Sequence, residues 1–185
     1  MVRFLPASSL HPEMQTPPRT KFKEATRSAE TCADPSLAQT IYQAFRADTV
    51  VHVLNFRSGW QNLNTRAGAA VWINQHPAFR AWSTQQPFTV PLFQLGTADQ
   101  PQFIYMIGAD AQTPPIFSGF DTNIGLVDWV YNTSVCESVP LMTALFSPQT
   151  DRYFTTSTFE HDSIASFDGW LDTGVIAFVL TLADA

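Results

Sequence analysis

The sequence predicts a mainly β domain with pseudo-threefold symmetry and short helical turns, preceded by a disordered tail over residues 1–31. Three observations lead there. An apolar pair recurs at Ile41-Tyr42, Leu92-Phe93 and Leu141-Met142. A polar-then-apolar strand start recurs at His52-Val53, Gln102-Phe103 and Arg152-Tyr153, at intervals of fifty residues. A glycine-aromatic marker recurs at Gly119-Phe120 and Gly169-Trp170, again fifty apart. Small units that cannot each bury a face alone must share a core around a common axis. Three units are expected at about 40–89, 90–138 and 139–185, all within one domain spanning 32–185. A propeller of three blades leaves little room for a closed core, so the expected architecture is closest to a β-trefoil.

Each unit is expected to open with a hairpin. First strands are read at residues 41–45, 90–95 and 140–145, and return strands at 50–56, 102–107 and 152–156, all rich in apolar and aromatic side chains. Between them lie Ala47-Asp48-Thr49, Ala98-Asp99-Gln100 and Ser147-Pro148-Gln149-Thr150-Asp151, each with an aspartate able to accept from nearby backbone N–H groups as the chain reverses. After the third hairpin, Ser157 and Glu160 have capping-box spacing, so a short helix is expected from Ser157 to about Asp168-Gly169. Further β segments follow at 126–131 and 175–180. In the first unit the matching aromatic is either Trp72 or Phe79, because residues 66–75 can form a helix containing Trp72, and that unit is the most divergent.

With 185 residues, 45% of them hydrophobic, the chain can bury roughly 70% of the surface its unfolded form exposes, enough for one solid core. Charge is uneven. Arg3, Arg19, Lys21, Lys23 and Arg27 stand against three acids in the first thirty positions, while the remainder has five basic and thirteen acidic residues and no lysine. A folded part of that sign repels phosphate backbones and anionic lipid, so neither nucleic acid binding nor membrane insertion is expected. The Pro17-Pro18 step and the lack of apolar periodicity make the basic prefix an unfolded tail. Residues 1–10 lack a signal peptide's apolar core, and no apolar run reaches the length of a membrane span.

Cys32 lies just ahead of the first unit and Cys136 in the link between the second and third, where a closed ring brings them together. A disulfide between them is expected, with two unrelated thiols as the alternative. It would imply an extracellular, oxidising home, where Asn132 of Asn132-Thr133-Ser134 is a glycosylation acceptor.

The segments Pro140-Leu141-Met142-Thr143-Ala144, Asp151-Arg152-Tyr153-Phe154-Thr155-Thr156, Gly169-Trp170 and Asp172-Thr173-Gly174-Val175-Ile176-Ala177-Phe178-Val179 resemble one unit of a repeat family of unknown function. That family occurs in fungal and bacterial secreted proteins, with units of the form PLYRLYN, DHFYTT, a short acidic helix, GY or GW, and EGIAFYV. The resemblance covers residues 32–180 in three units, strongest in the third. Asp151 matches the family aspartate, Arg152 replaces its histidine, and only His52 keeps that histidine. The resemblance implies adhesion or glycan contact rather than catalysis.

Chemical signatures are sparse. Glu160-His161-Asp162 splay about a helix axis and cannot converge on zinc, no GxSxG elbow exists, and Asp121-Thr122-Asn123-Ile124-Gly125 has too few oxygens for calcium and reads as a turn. No cofactor or metal is expected. Sugar rings stack on flat amphipathic side chains, of which the chain has many. The candidate ligand-binding set is Arg152, Tyr153, Trp170 and Asp172, with Gln102, Phe120 and Asp121 as counterparts. Against it stands the ordinary role of repeated aromatics, which is to fill the core. The expected function is non-catalytic, lectin-like binding of a glycan or small carbohydrate. A protease inhibitor or defence protein acting through an exposed loop is the alternative. A glycan-active enzyme using paired carboxylates among Asp121, Asp128, Asp151 and Asp172 is the third.

Overall fold

The computed structural model describes residues 32–65, 71–98 and 101–182. The basic prefix, residues 66–70 of the segment read as a helix, and Asp99-Gln100 of the second hairpin turn therefore lie outside the described residues. Three antiparallel sheets dominate, each of three strands, with the first strand of each in the centre. Sheet 1 holds β1 (Gln39–Arg46), β2 (Val51–Phe56) and β3 (Ile73–Ala81); sheet 2 holds β4 (Val90–Gly96), β5 (Phe103–Ile107) and β6 (Thr122–Val130). Sheet 3 holds β7 (Val139–Phe146), β8 (Asp151–Thr155) and β9 (Trp170–Val179). In every sheet the outer partner that arrives last pairs with the central strand through register shifts, a sign of β-bulges that bend it.

The alternation of side chains sends one face of each sheet to a common centre. Ile41, Leu54 and Phe79 of sheet 1 meet Leu92, Tyr105 and Val130 of sheet 2 and Leu141, Phe154 and Val179 of sheet 3 in one buried cluster. The far ends of β3, β6 and β9 touch pairwise through isolated bridges, Trp82 with Trp129, Tyr131 with Phe178, and Arg80 with Leu180. Each sheet thus contacts both others.

The segment before β1 is fastened to this end of the core. Cys32 and Cys136 form a disulfide, with their Cα atoms 5.8 Å apart. The Ala33 N–H donates to the Tyr131 hydroxyl at 2.9 Å, and the Trp82 indole N–H and Arg80 Nη2 donate to the carbonyls of Asp34 and Pro35. A disulfide of this kind indicates an oxidising environment. Among the described residues no helix is long and apolar enough to cross a membrane.

Two helices occur. α2 (Thr158–Ala165) begins where the sequence places it, with the Ser157 hydroxyl accepting from the Glu160 N–H at 3.2 Å. α1 (Arg57–Asn64) corrects the first unit: the helix lies there, and the segment read as helical through residue 75 instead enters β3 at Ile73. The local reason is that Ile73 and Asn74 pair with Phe45 and Ala44 of the central strand, a sheet partner that outweighs helical propensity. Residues 122–125, read as a turn, open β6 for the same reason, with Asn123 opposite Leu95 and Gly125 opposite Gln94.

Candidate functional site

Register defines three comparable junctions between the sheets. Leu54 faces Gln43, Tyr105 faces Gln94 and Phe154 faces Thr143, and two residues earlier His52, Phe103 and Arg152 occupy matching places. Gln102 stands one position before β5, so Phe103 and not Gln102 holds the place of His52 and Arg152. Those three side chains set the chemistry of each junction.

Between sheets 3 and 1 the junction is filled by a polar network. The Phe154 N–H donates to Gln43 Oε1 at 3.1 Å, so Gln43 Nε2 donates to Gln75 Oε1 at 3.2 Å and Gln75 Nε2 to His52 Nε2 at 3.2 Å. That direction leaves the His52 proton on Nδ1, which meets Asp151 Oδ2 at 2.7 Å, while the His52 backbone N–H reaches the other Asp151 oxygen. One backbone donor orients the whole chain. Beside it Tyr153 donates to Glu160 Oε1 at 2.8 Å and lies 3.3 Å from His76 Nε2, and Glu160 also accepts from Thr155. Burial, with the Glu160 charge beside it, pushes the Tyr153 hydroxyl up to about 12. Both nitrogens of His52 and of His76 are engaged within the protein, since His76 Nδ1 meets the Pro77 carbonyl at 3.0 Å. Such a closed network locks two sheets together and offers no free base to a substrate.

Between sheets 1 and 2 the junction is open. A cleft of about 420 Å³ is walled by Trp60, Trp72 and Phe103, with Asn55, Asn62 and Gln94 around it. It shares Asn55, Gln94 and Ile124 with a neighbouring hollow of about 310 Å³. Trp60 is 4% exposed and packs 5.3 Å from Trp72. Asn64 clamps the Trp72 backbone from both sides, donating to its carbonyl and accepting from its N–H at 3.0 Å each. The Trp60 indole N–H is buried without a hydrogen-bond partner, a costly state unless something supplies an acceptor. Asn55 spends its carbonyl oxygen on the Phe56 N–H, and a Cβ on Gly59 would sit only 2.3 Å from that oxygen, so glycine makes room for it. The Asn55 amide N–H groups and the side chains of Asn62 and Gln94 make no hydrogen bond among the described residues.

The residues chosen from sequence do not assemble into one site. Arg152 and Phe120 do meet, the guanidinium lying 5.3 Å from the ring centroid, at the junction of sheets 2 and 3. Tyr153 belongs to the closed network. Trp170 is half-buried against Phe146, with ring centroids 5.2 Å apart, and Asp172 is exposed, accepting from the Gly174 N–H and lying 3.2 Å from His161 Nε2. Asp121 is exposed ahead of β6. Asn132 is exposed just after β6. Among the described residues no three His, Cys, Asp or Glu side chains converge as a metal site. The Trp60–Trp72 cleft escaped sequence reading because its parts come from β2, α1, β4, β5 and β6. The run Asn55-Phe56-Arg57-Ser58-Gly59-Trp60, amide and aromatic around a glycine, is the one local signal that could have led to it.

Comparison with known families matches residues 40–180 to a domain of unknown function, DUF5648. The chain belongs to that family. The DUF5648 match takes in nearly all of the three sheets and leaves Cys32 outside it. No curated protein and no solved structure matches the chain.

Proposed function

We propose that this DUF5648 domain is a non-catalytic carbohydrate-binding protein that seats a glycan or small sugar in the cleft between sheets 1 and 2. The observation that carries the reading is the unpartnered Trp60 indole N–H beside Trp72, in a cleft lined by the side-chain amides of Asn55, Asn62 and Gln94. Sugar rings present an apolar C–H face and a rim of hydroxyls. The tryptophans supply the plane, while Asn55, Asn62 and Gln94 supply donors and acceptors for the rim. The three sheets are, on this reading, diverged copies of one repeat closed in a β-trefoil-like pseudo-threefold arrangement. Their shared strand order and cyclic bridges support it. An extracellular location fits the disulfide and the exposed Asn132 sequon.

Glycan-array screening followed by calorimetry with the best oligosaccharide tests the proposal. Trp72→Ala is expected to weaken binding by about tenfold to a hundredfold, the loss of a stacked aromatic surface. Trp170→Ala, on another sheet, is expected to leave it unchanged. Absence of any glycan binding, or loss on Trp170→Ala with Trp72→Ala silent, contradicts the assignment.

A further inference from the structure

The junction of sheets 2 and 3 holds a second cleft, of about 350 Å³, and its chemistry differs from that of the first. Its walls are mainly apolar, formed by Ile104, Met106, Ile107, Phe117, Val175 and Ile176. Ile107, Phe117 and Val175 are exposed, so the cleft opens to solvent. Four polar side chains interrupt this surface: Tyr105 and Thr173 spend their hydroxyls on the Leu54 backbone and the Thr143 carbonyl, while Arg152 and Thr143 each have a buried atom with no hydrogen-bond partner, Nη1 and Oγ1. Thr143 is 6% exposed.

Arg152 is the more telling of the two. A guanidinium stays charged at any ordinary pH, and a charge half-withdrawn from water needs a counter-charge. Among the described residues no carboxylate forms an ion pair with it: the cleft is lined by no acid, and the adjacent Asp151, whose charge offsets part of the burial cost, has both oxygens committed to His52. Among the described residues the guanidinium packs over the Phe120 ring. Burial pushes the Arg152 pKa down, which is the same cost expressed as a proton equilibrium. At the matching positions the other junctions have answered this need differently, with His52 paired to Asp151 in one and uncharged Phe103 in the other.

We propose that the cleft between sheets 2 and 3 binds a small amphipathic monocarboxylate. Its two carboxylate oxygens satisfy Arg152 Nη1 and Thr143 Oγ1, and its aliphatic or aromatic body lies along Ile104, Met106 and Val175. A carboxylate fits better than a sugar here because the cleft offers donors at one end and hydrocarbon elsewhere. The site is separate from the Trp60–Trp72 cleft, so the two readings stand or fall independently.

The test uses the full chain, with octanoate as probe, octanol as the same body without charge, and acetate and sulfate as anions without the body. Calorimetry and thermal unfolding are read for each. Octanoate is expected to bind and to raise Tm, with octanol, acetate and sulfate each weaker by about tenfold or more. Arg152→Leu is expected to abolish the preference for octanoate over octanol, and Thr143→Val to weaken octanoate by about three- to tenfold. Should Arg152→Leu fail to fold, Met106→Trp, which fills the cleft and keeps the charge, must lose octanoate while remaining folded. No binding of millimolar octanoate to the wild type overturns the proposal. So does equal affinity for octanoate and octanol, equal stabilisation by sulfate, or octanoate binding that survives both Arg152→Leu and Met106→Trp.

Discussion

Asp128 on β6 is fully buried, and neither carboxyl oxygen has a hydrogen-bond partner. Burial pushes its pKa from 3.8 up to about 8, so the folded protein holds it as a neutral acid at neutral pH. In the unfolded chain the same group ionises near pH 4. Between about pH 4 and about pH 8 the folded state therefore binds one more proton than the unfolded state. Stability from this group is full below that window and falls as pH rises through it, by at most about 1.4 kcal/mol per pH unit. Asp128→Asn keeps the shape without the proton. Urea unfolding at several pH values across the window is expected to show a flatter profile for the variant and a gain in stability near neutrality. Parallel profiles would contradict the assignment. The sequence offers this aspartate as one of four candidate paired carboxylates, but nothing in it marks the side chain as buried. It stands in an alternating strand among apolar residues, and only its pairing opposite Leu92 shows which face it takes. Gln43, 0% exposed, is hidden for a similar reason, since it is buried only because Phe154 of another sheet donates to it. Cys32 and Cys136 were legible because covalent chemistry leaves few alternatives for two cysteines, one ahead of the first unit and one in the link between the second and third.

At the scale of elements, strands and the Ser157 helix start were legible because local chemistry sets them. The capping box is only half made. Ser157 caps the helix, but Glu160 turns to Tyr153 and Thr155 instead of reaching back, and the Ser157 N–H donates to Thr155 Oγ1 at 3.0 Å. Strand pairing proved less legible, as β3 and the start of β6 show, because it depends on a partner distant in sequence. The glycine-aromatic markers have a backbone cause: Gly119 and Gly169 have φ of 86° and 84°, where a side chain is strained. A Cβ on Gly169 would also lie 2.9 Å from Phe146 Cε2, whereas one on Gly119 meets nothing within 4 Å. Gly119→Ala is therefore expected to cost about 1–2 kcal/mol, and Gly169→Ala more. Chemical denaturation measures both. Equal losses would show that Phe146 yields freely, and no loss at either would remove the conformational argument.

Across the whole molecule, one arrangement of strands produces three junctions with different contents: a locked polar network, a tryptophan-and-amide cleft, and an apolar cleft with an unpaired guanidinium. The sheets and their common core follow from a pattern of apolar residues that can be read along the chain. The clefts do not, because each is assembled from two sheets, and a shift of one residue, as at Phe103 beside Gln102, changes which side chain enters. Sequence spacing of fifty residues hides that shift, since Leu54, Tyr105 and Phe154 of the core fall 51 and 49 positions apart (54 to 105, 105 to 154). The measurement that bears most directly on the function is the set of tryptophan indole N–H resonances of the labelled protein, followed during titration with the oligosaccharide selected by the array. The Trp60 and Trp72 signals are expected to move with saturation, Trp60 most as its N–H gains an acceptor, while Trp82, already bonded to the Asp34 carbonyl, stays in place. Movement confined to Trp82, Trp129 or Trp170, or a spectrum unchanged at saturation, would contradict glycan binding in the cleft between sheets 1 and 2.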